Sequence, residues 1–293
     1  MFTISSSKEL NMKEKSFDFL KKISRKIKWI YCNQFINSCN KIFQQVHTEN
    51  FSMLVLLNEV VGREIYTLGY YEKNYSDYLS REILNNDICI DVGGNVGYYS
   101  LLMSFAAANG EVHTFEPIGL NADIIRLNAS LNSLTNIQVN NLALGKKSGI
   151  LNFSLTQDSA YSSTIDSLNS ISRDENINLI SVEQIKLDDY IAANQIHKVD
   201  IIKIDVEGGE TNVLHGAEKL LASKSGPRLI MIELFDEFLI KNGSSSKEII
   251  VYLENFGYYP YYPDADLNLI SFKNEDINKI FNVFFLKKSN SLR

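Results

Sequence analysis

The chain has 293 residues, 45% of them hydrophobic, and a formal net charge of −6. This length suits one large domain with an extension or two small domains, with enough apolar content for a sizeable core. The acidic balance argues against a dedicated nucleic-acid binder, where a basic patch is expected. Three cysteines (Cys32, Cys39 and Cys89) without metal-binding spacing, one of them necessarily unpaired, point to a reduced cytoplasmic protein.

The first 41 residues carry nine Lys and Arg against three acids, a local charge of +6 that leaves −12 on the remainder. Phe17, Leu20, Ile23, Ile27 and Ile30 recur at helical spacing among Lys21, Lys22, Arg25, Lys26 and Lys28, the pattern of a basic amphipathic helix. Two placements fit it. The stripe lies on an anionic membrane, making the protein peripheral at the inner membrane face, or it packs on the domain and leaves its lysines in water. The second is the commoner fate of a single amphipathic helix. There is no secretory apolar segment near the start, and the run Met53–Leu57 is far too short to cross a bilayer. Met53–Leu57 and Glu64–Leu68 read as two short strands around a glycine, a small hairpin. Tyr75–Leu84 reads as a helix.

The central stretch is the apolar run Ile88–Ile90 followed by Asp91-Val-Gly-Gly-Asn-Val-Gly97 and an apolar, helix-compatible segment, Tyr98–Ala108. Strand, glycine turn and helix bring a nucleotide-type ligand to a helix N-terminus. Gly93 and Gly97 permit a tight turn and close backbone approach. Asp91 stands where a dinucleotide fingerprint has its first glycine. A carboxylate there repels a pyrophosphate but suits a ligand bearing a sulfonium and an ammonium group, so S-adenosylmethionine fits better than NAD.

A second strand, Glu111–Phe115, ends on Glu116 and Pro117, and an acid in that position can bond ribose hydroxyls. His113, in mid-strand, reads as a core histidine. Asn121–Asn132 is a helix and Ile137–Leu144 a third strand. Ile150–Leu155 is expected to pair with what precedes it, and the polar run Asp158–Asn178 has the length of a lid loop. Val182–Ile191 holds a strand and a short helix. Val199–Gly208 is a fourth strand with Lys203 inside it and Asp205 and Glu207 at its end, and the three point the same way if the strand stays extended. Thr211–Ala222 is an amphipathic helix, Leu229–Glu233 a fifth strand and Ser244–Phe256 a helix. Strands near Tyr258–Tyr262, Leu269–Phe272 and Asn282–Leu286 close the chain. Asp91, Glu116, the Asp205/Glu207 pair and Glu233 thus share the carboxyl edge of a sheet, where ligands bind in open α/β folds.

At this point the chain resembles the FkbM family of methyltransferases. The likeness runs from about Gly69 to Leu234, more weakly to the C-terminus. It is carried by Gly69–Glu72, Asp91–Ser100, Phe115–Pro117, Ala143–Gly145, Leu187–Asp189, and Ile202–Gly208 with Glu210. Gly209, where alanine is usual, and Lys186, where threonine is usual, depart from it. The resemblance implies an α/β class I methyltransferase fold, Rossmann-like, with a seven-stranded mixed sheet, helices on both faces and an antiparallel last strand. The methyltransferase domain is then expected over 69–293, with residues 1–68 a basic helical extension carrying the small hairpin, its first fifty residues outside the likeness. The resemblance further implies S-adenosylmethionine as cofactor and an O-methyltransferase acting on hydroxyls of sugars, glycans or secondary metabolites; the acidic charge adds the expectation of no nucleic-acid partner. By the match, Asp91, Gly93, Asn95 and Gly97 line the methionine side of the cofactor, Glu116 holds the ribose, and Asn141 or Leu142 lies near adenine. Glu72 matches a family acid.

Methyl transfer from such a donor needs alignment of the acceptor and removal of a proton from a weakly acidic hydroxyl. No histidine stands at a strand's carboxyl end, since His47, His197 and His215 read as loop or helix positions. Asp205 or Glu207 is therefore the expected base, with Lys203 paired to Asp91, Asp205 or Glu233 beside it. A divalent metal on Asp205, Glu207 and Glu233 is a second way to acidify a hydroxyl, but no ligand spacing supports one. Three rivals are an NAD-dependent oxidoreductase, disfavoured by Asp91, a module that binds S-adenosylmethionine without turnover, disfavoured by the intact acids, and an RNA methyltransferase, disfavoured by the acidic body.

Overall fold

Apolar, β-branched strands, the inner parallel ones each followed by a helix, assemble one eight-stranded sheet. The computed structural model describes residues 21–30, 42–155, 162–164 and 178–287. After a helix over residues 21–30 (α1) come β1 (Phe43–His47), β2 (Ser52–Leu56), α2 (Val60–Leu68), α3 (Lys73–Glu82), β3 (Ile88–Val92), α4 (Tyr98–Ala106), β4 (Glu111–Phe115) and α5 (Gly119–Leu131). Next are β5 (Ile137–Asn140), β6 (Ala143–Leu144), β7 (Gly149–Leu155), β8 (Ser162–Thr164), β9 (Asn178–Ile185), α6 (Leu187–Ala193), β10 (Ile201–Ile204), α7 (Glu210–His215) and α8 (Glu218–Ala222). The chain ends with β11 (Leu229–Glu233), α9 (Asp236–Lys241), α10 (Ser246–Glu254), β12 (Tyr258–Pro263), β13 (Leu269–Ser271) and β14 (Asn282–Lys287).

The main sheet runs β13-β12-β14-β11-β10-β3-β4-β5. From β11 to β5 the pairs are parallel, and β14 inserts antiparallel between β11 and β12. The last strand is antiparallel as expected; the count is eight because β13 folds back on β12. The Asp264 carboxylate stabilises that turn by accepting from the Asp266 and Asn268 amides. The inner strands are buried on both faces, which is why they read as continuous apolar runs. Cys89, Ile201 and Met231 face one core; Ile90, Ile202 and Ile230 face the other. Residues of one parity share a face, so Asp91 and its register partner Lys203 cap the first core at its carboxyl edge.

Several elements differ from the sequence reading. The hairpin is β1 with β2. Glu64–Leu68 is helical in α2, and Gly62 of that helix lies so close to β2 that a Cβ would sit 1.9 Å from the Leu56 carbonyl oxygen. The third strand divides: β5 stays in the main sheet and β6 pairs with β9 in a second sheet, β6-β9-β7-β8. β7 pairs with the later β8 and β9 rather than with preceding chain. Of the expected lid loop, Ser162–Thr164 form β8 and residues 158–161 and 165–177 lie outside the described residues. The helix expected over Thr211–Ala222 breaks at Gly216, whose position leaves no room for a side chain beside the Gly145 carbonyl. His47 closes β1, bonded through Nδ1 to Ser52 Oγ at 2.6 Å.

The hairpin and α2 pack on the same core as the main sheet. Asn128 of α5 joins them. Its Oδ1 accepts from the Leu54 amide, and its Nδ2 donates to the carbonyls of Leu54 and Val96. Phe17 and Leu20 lie outside the described residues, but the rest of the basic helix is turned opposite to the packing arrangement. Arg25 and Lys28 face the body while Ile23 and Ile27 are exposed. Among the described residues no helix is long and apolar enough to cross a membrane.

Candidate active site

The glycine turn after β3 is shaped by the protein's own backbone. Gly93 and Gly94 donate their amides to the Phe115 carbonyl, tying the turn to the end of β4. Gly93 has φ +80°, and a Cβ there would meet the Asp205 carbonyl oxygen at 1.8 Å. Glycine is therefore required so that the ends of β3 and β10 can meet. Gly97, φ +92°, caps α4 and does not line the cavity.

Above these ends opens a cavity. Of the expected site residues, Gly93, Asn95, Glu116, Leu142, Lys203, Asp205 and Glu207 line it, together with Glu233. Glu116 is held from both sides: Oε2 accepts from the Asn95 amide and Oε1 from the Ile118 amide, each at 2.8 Å. Burial nonetheless pushes its pKa up to about 7. Asn95 Oδ1 and Glu207 Oε2 are buried without a hydrogen-bond partner among the described residues.

Lys203 sits 3% exposed among carboxylates. Its Nζ lies 3.1 Å from Asp205 Oδ2 and 3.6 Å from Asp91 Oδ1, and donates to the Gly93 carbonyl at 3.3 Å. It also stands 5.2 Å from the centre of the Tyr99 ring. Burial opposes the ammonium, but Asp205 and Asp91 outweigh it and hold its pKa above the ordinary lysine value. The expected pairing of Lys203 is thus present. Glu207 does not continue the strand's alternation: β10 ends at Ile204, and Glu207 has φ +55° in the following turn. Burial, then the charge of Asp205, raises its pKa to about 8. Glu233 rises to about 10 through burial and the same surrounding carboxylates. Among the described residues no three acidic, His or Cys side chains converge in a metal-holding arrangement.

Asp91, Glu72 and Asn141 do not line the cavity. Asp91 is fully buried behind its wall, accepting from Ser100 Oγ at 2.5 Å while Lys203 covers it from the cavity side. Glu72, in a left-handed conformation at φ +48°, accepts from Tyr99 Oη and from Asn282 Nδ2, both at 2.6 Å. Asn141 Nδ2 donates to the Glu116 and Pro117 carbonyls and so fixes the end of that strand. His113 is a core residue, its Nδ1 3.0 Å from Tyr190 Oη.

The methyltransferase FkbM domain model matches residues 91–260, more than half of the chain. The chain belongs to the FkbM methyltransferase domain family. Among curated relatives it is 24% identical over 148 residues to Methyltransferase 1 of Beauveria bassiana, covering 46% of this chain and 59% of that protein. It is 23% identical over 176 residues to Methyltransferase sdnD of Sordaria araneosa, covering 51% and 68%. The chain therefore spans less than two thirds of the first relative's length. Among solved structures it aligns with a putative methyltransferase from Streptococcus mutans in complex with SAH (11% identity, TM-score 0.41, covering 74% of this chain and 97% of that one). It also aligns with a SAM-dependent O-methyltransferase from Thermotoga maritima (13%, TM-score 0.42, 85% and 87%).

The cofactor of this FkbM domain is S-adenosylmethionine, and the cavity fits it. The held Glu116 carboxylate keeps lone pairs free for ribose hydroxyls, Phe115, Ile118 and Leu142 offer an apolar wall for a base, and Asn95 Oδ1 awaits a donor. Sequence reasoning missed Tyr71 and Tyr99, Asn212, Gln184, and the pair Lys146 and Lys147, all of which line the cavity. Tyr99 is readable as the second residue after Gly97 of the motif. Gln184 arrives through β9 of the second sheet, a placement that no local pattern carries.

Proposed function

We propose that this chain is an O-methyltransferase that carries the methyl group of S-adenosylmethionine to a hydroxyl of a sugar, glycan or secondary metabolite. The observation that carries the reading is the carboxylate wall beside the glycine turn. Asp205, Glu207 and Glu233 face one cavity, and Glu207 presents a buried oxygen with no hydrogen-bond partner among the described residues.

When bound, the cofactor supplies a methyl group on a positively charged sulfur. The residues of the chain do the rest. Glu116 and the Asn95 turn hold the nucleoside side, and Lys203 fixes Asp205 against the end of β3. Glu207 takes the hydroxyl proton. Its raised pKa suits that task, because a base titrating near the working pH transfers protons efficiently. A positioned base contributes typically ~10²–10⁴-fold, and alignment of the reactants contributes up to roughly 7–11 kcal/mol in favourable cases.

Incubation with S-adenosylmethionine bearing a deuterated methyl group and a panel of hydroxylated sugars, glycans and secondary metabolites tests the reading. Fragmentation should place the label on an acceptor oxygen, and Glu207→Gln should lower that transfer. Label appearing only on nitrogen, or only on nucleic acid, contradicts it.

A further inference from the structure

The orientation of α1 has a physical cause. Lys28 Nζ donates to the Tyr66 carbonyl at 3.0 Å and Arg25 Nη2 to the Leu68 carbonyl at 3.4 Å. Lys28 lies 4.6 Å from the Tyr66 ring centre, and Arg25 lies 5.7 Å from that of Tyr70. These carbonyls belong to the last turn of α2, where helix oxygens lack partners and the helix dipole is negative. Two cations of α1 satisfy that end, so the basic side of the helix is turned inward.

At 3.6 residues per turn, Ile23, Ile27 and Ile30 fall within about 60° of one another on the side opposite Arg25 and Lys28. Ile23 is 40% exposed and Ile27 61%. Along one flank stand Lys22 and Lys26, both exposed, and Trp29, 61% exposed and the chain's single tryptophan. An isoleucine stripe bordered by lysines and an amphipathic aromatic matches the composition of helices that lie in a membrane interface. The charge division points the same way: the first 41 residues carry +6 and the remainder −12, so an anionic surface attracts this end and repels the rest.

We propose that α1 is a docking surface for an anionic lipid bilayer, set on its apolar face with Lys22 and Lys26 against the headgroups. This reading is independent of the methyl acceptor.

The full-length chain tests it with vesicles of phosphatidylcholine alone or mixed with phosphatidylglycerol. The protein should float with the anionic vesicles only. Trp29 emission should shift to shorter wavelength on adding them, with no other tryptophan to confuse the signal. Ile23→Asp with Ile27→Asp should weaken binding at least about ten-fold, since each isoleucine's burial is lost, while the melting temperature stays unchanged. Lys22→Glu with Lys26→Glu should weaken it as well, and added salt should weaken wild-type binding. Unshifted Trp29 emission without flotation overturns the proposal. So does flotation undiminished in the isoleucine variant, or a Trp29 shift that follows protein concentration without vesicles, which indicates a second copy instead.

Discussion

At the residue scale the site is governed by one cation among several carboxylates. Lys203 compensates Asp91 and Asp205 together, so its removal strands a fully buried charge. Lys203→Met should cost about 3–5 kcal/mol of stability, the typical result of breaking a buried pair. It should also reduce turnover, because Asp205 loses its anchor. A stable variant with unaltered turnover and cofactor binding would remove Lys203 from the site. Glu207 gives a pH signature. Its pKa near 8 leaves it protonated below that value, so kcat should rise as pH increases through about 8. Glu207→Gln should lower kcat and flatten that limb with cofactor affinity nearly intact, measured by rate profiles across pH and by calorimetry. Glu233 bears on stability. Folded Glu233 binds its proton up to about pH 10 and the unfolded chain only to about 4.5, so ionisation destabilises the fold as pH rises between those values. Glu233→Gln should therefore raise the melting temperature at pH 8 and leave it nearly unchanged at pH 4. These charge relations were partly legible. The Lys203 pairing followed from a lysine in a buried strand, whereas Asp91, read as a cofactor contact, is buried behind Lys203. No sequence pattern shows which of two paired groups meets the ligand.

At the element scale the positions of turns decide what reaches the cavity. The glycine motif marked the right turn and the close backbone approach at Gly93, but not that the backbone approaching it is that of Asp205. Asn128 links two elements that no local pattern joins, fastening β2 and the Val96 carbonyl of the cofactor turn to α5. Asn128→Ala leaves an amide and two carbonyls without these partners. It should cost about 1–3 kcal/mol or more and weaken cofactor binding, because the turn at Val96 is loosened. Loss of stability with unchanged cofactor affinity would confine Asn128 to the scaffold. Strands with buried, β-branched runs were legible for the same reason that they are central in the sheet. The partners of β1, β6 and β7 were not, since pairing across long separations leaves no periodic trace and these strands are short or half-exposed.

At the scale of the whole molecule, acids gather at both edges of the sheet and only one edge makes the site. At the carboxyl edge, Asp205, Glu207 and Glu233 face a cavity with Lys203 buried among them. At the opposite edge Arg228 takes Asp87 and Asp200, and the Ile88 amide donates to Asp200. Strand direction separates the two edges, and the alternation of strands and helices made it readable before any geometry. The central claim is that the carboxyl edge binds S-adenosylmethionine through the glycine turn and Glu116. Thermal unfolding with and without ligand tests it most directly, because a ligand that binds the native state raises the melting temperature. S-adenosylmethionine and S-adenosylhomocysteine should each raise it, Glu116→Ala should abolish most of that rise, and NAD should leave it unchanged. Stabilisation by NAD, with none by S-adenosylmethionine or its product, would contradict the account.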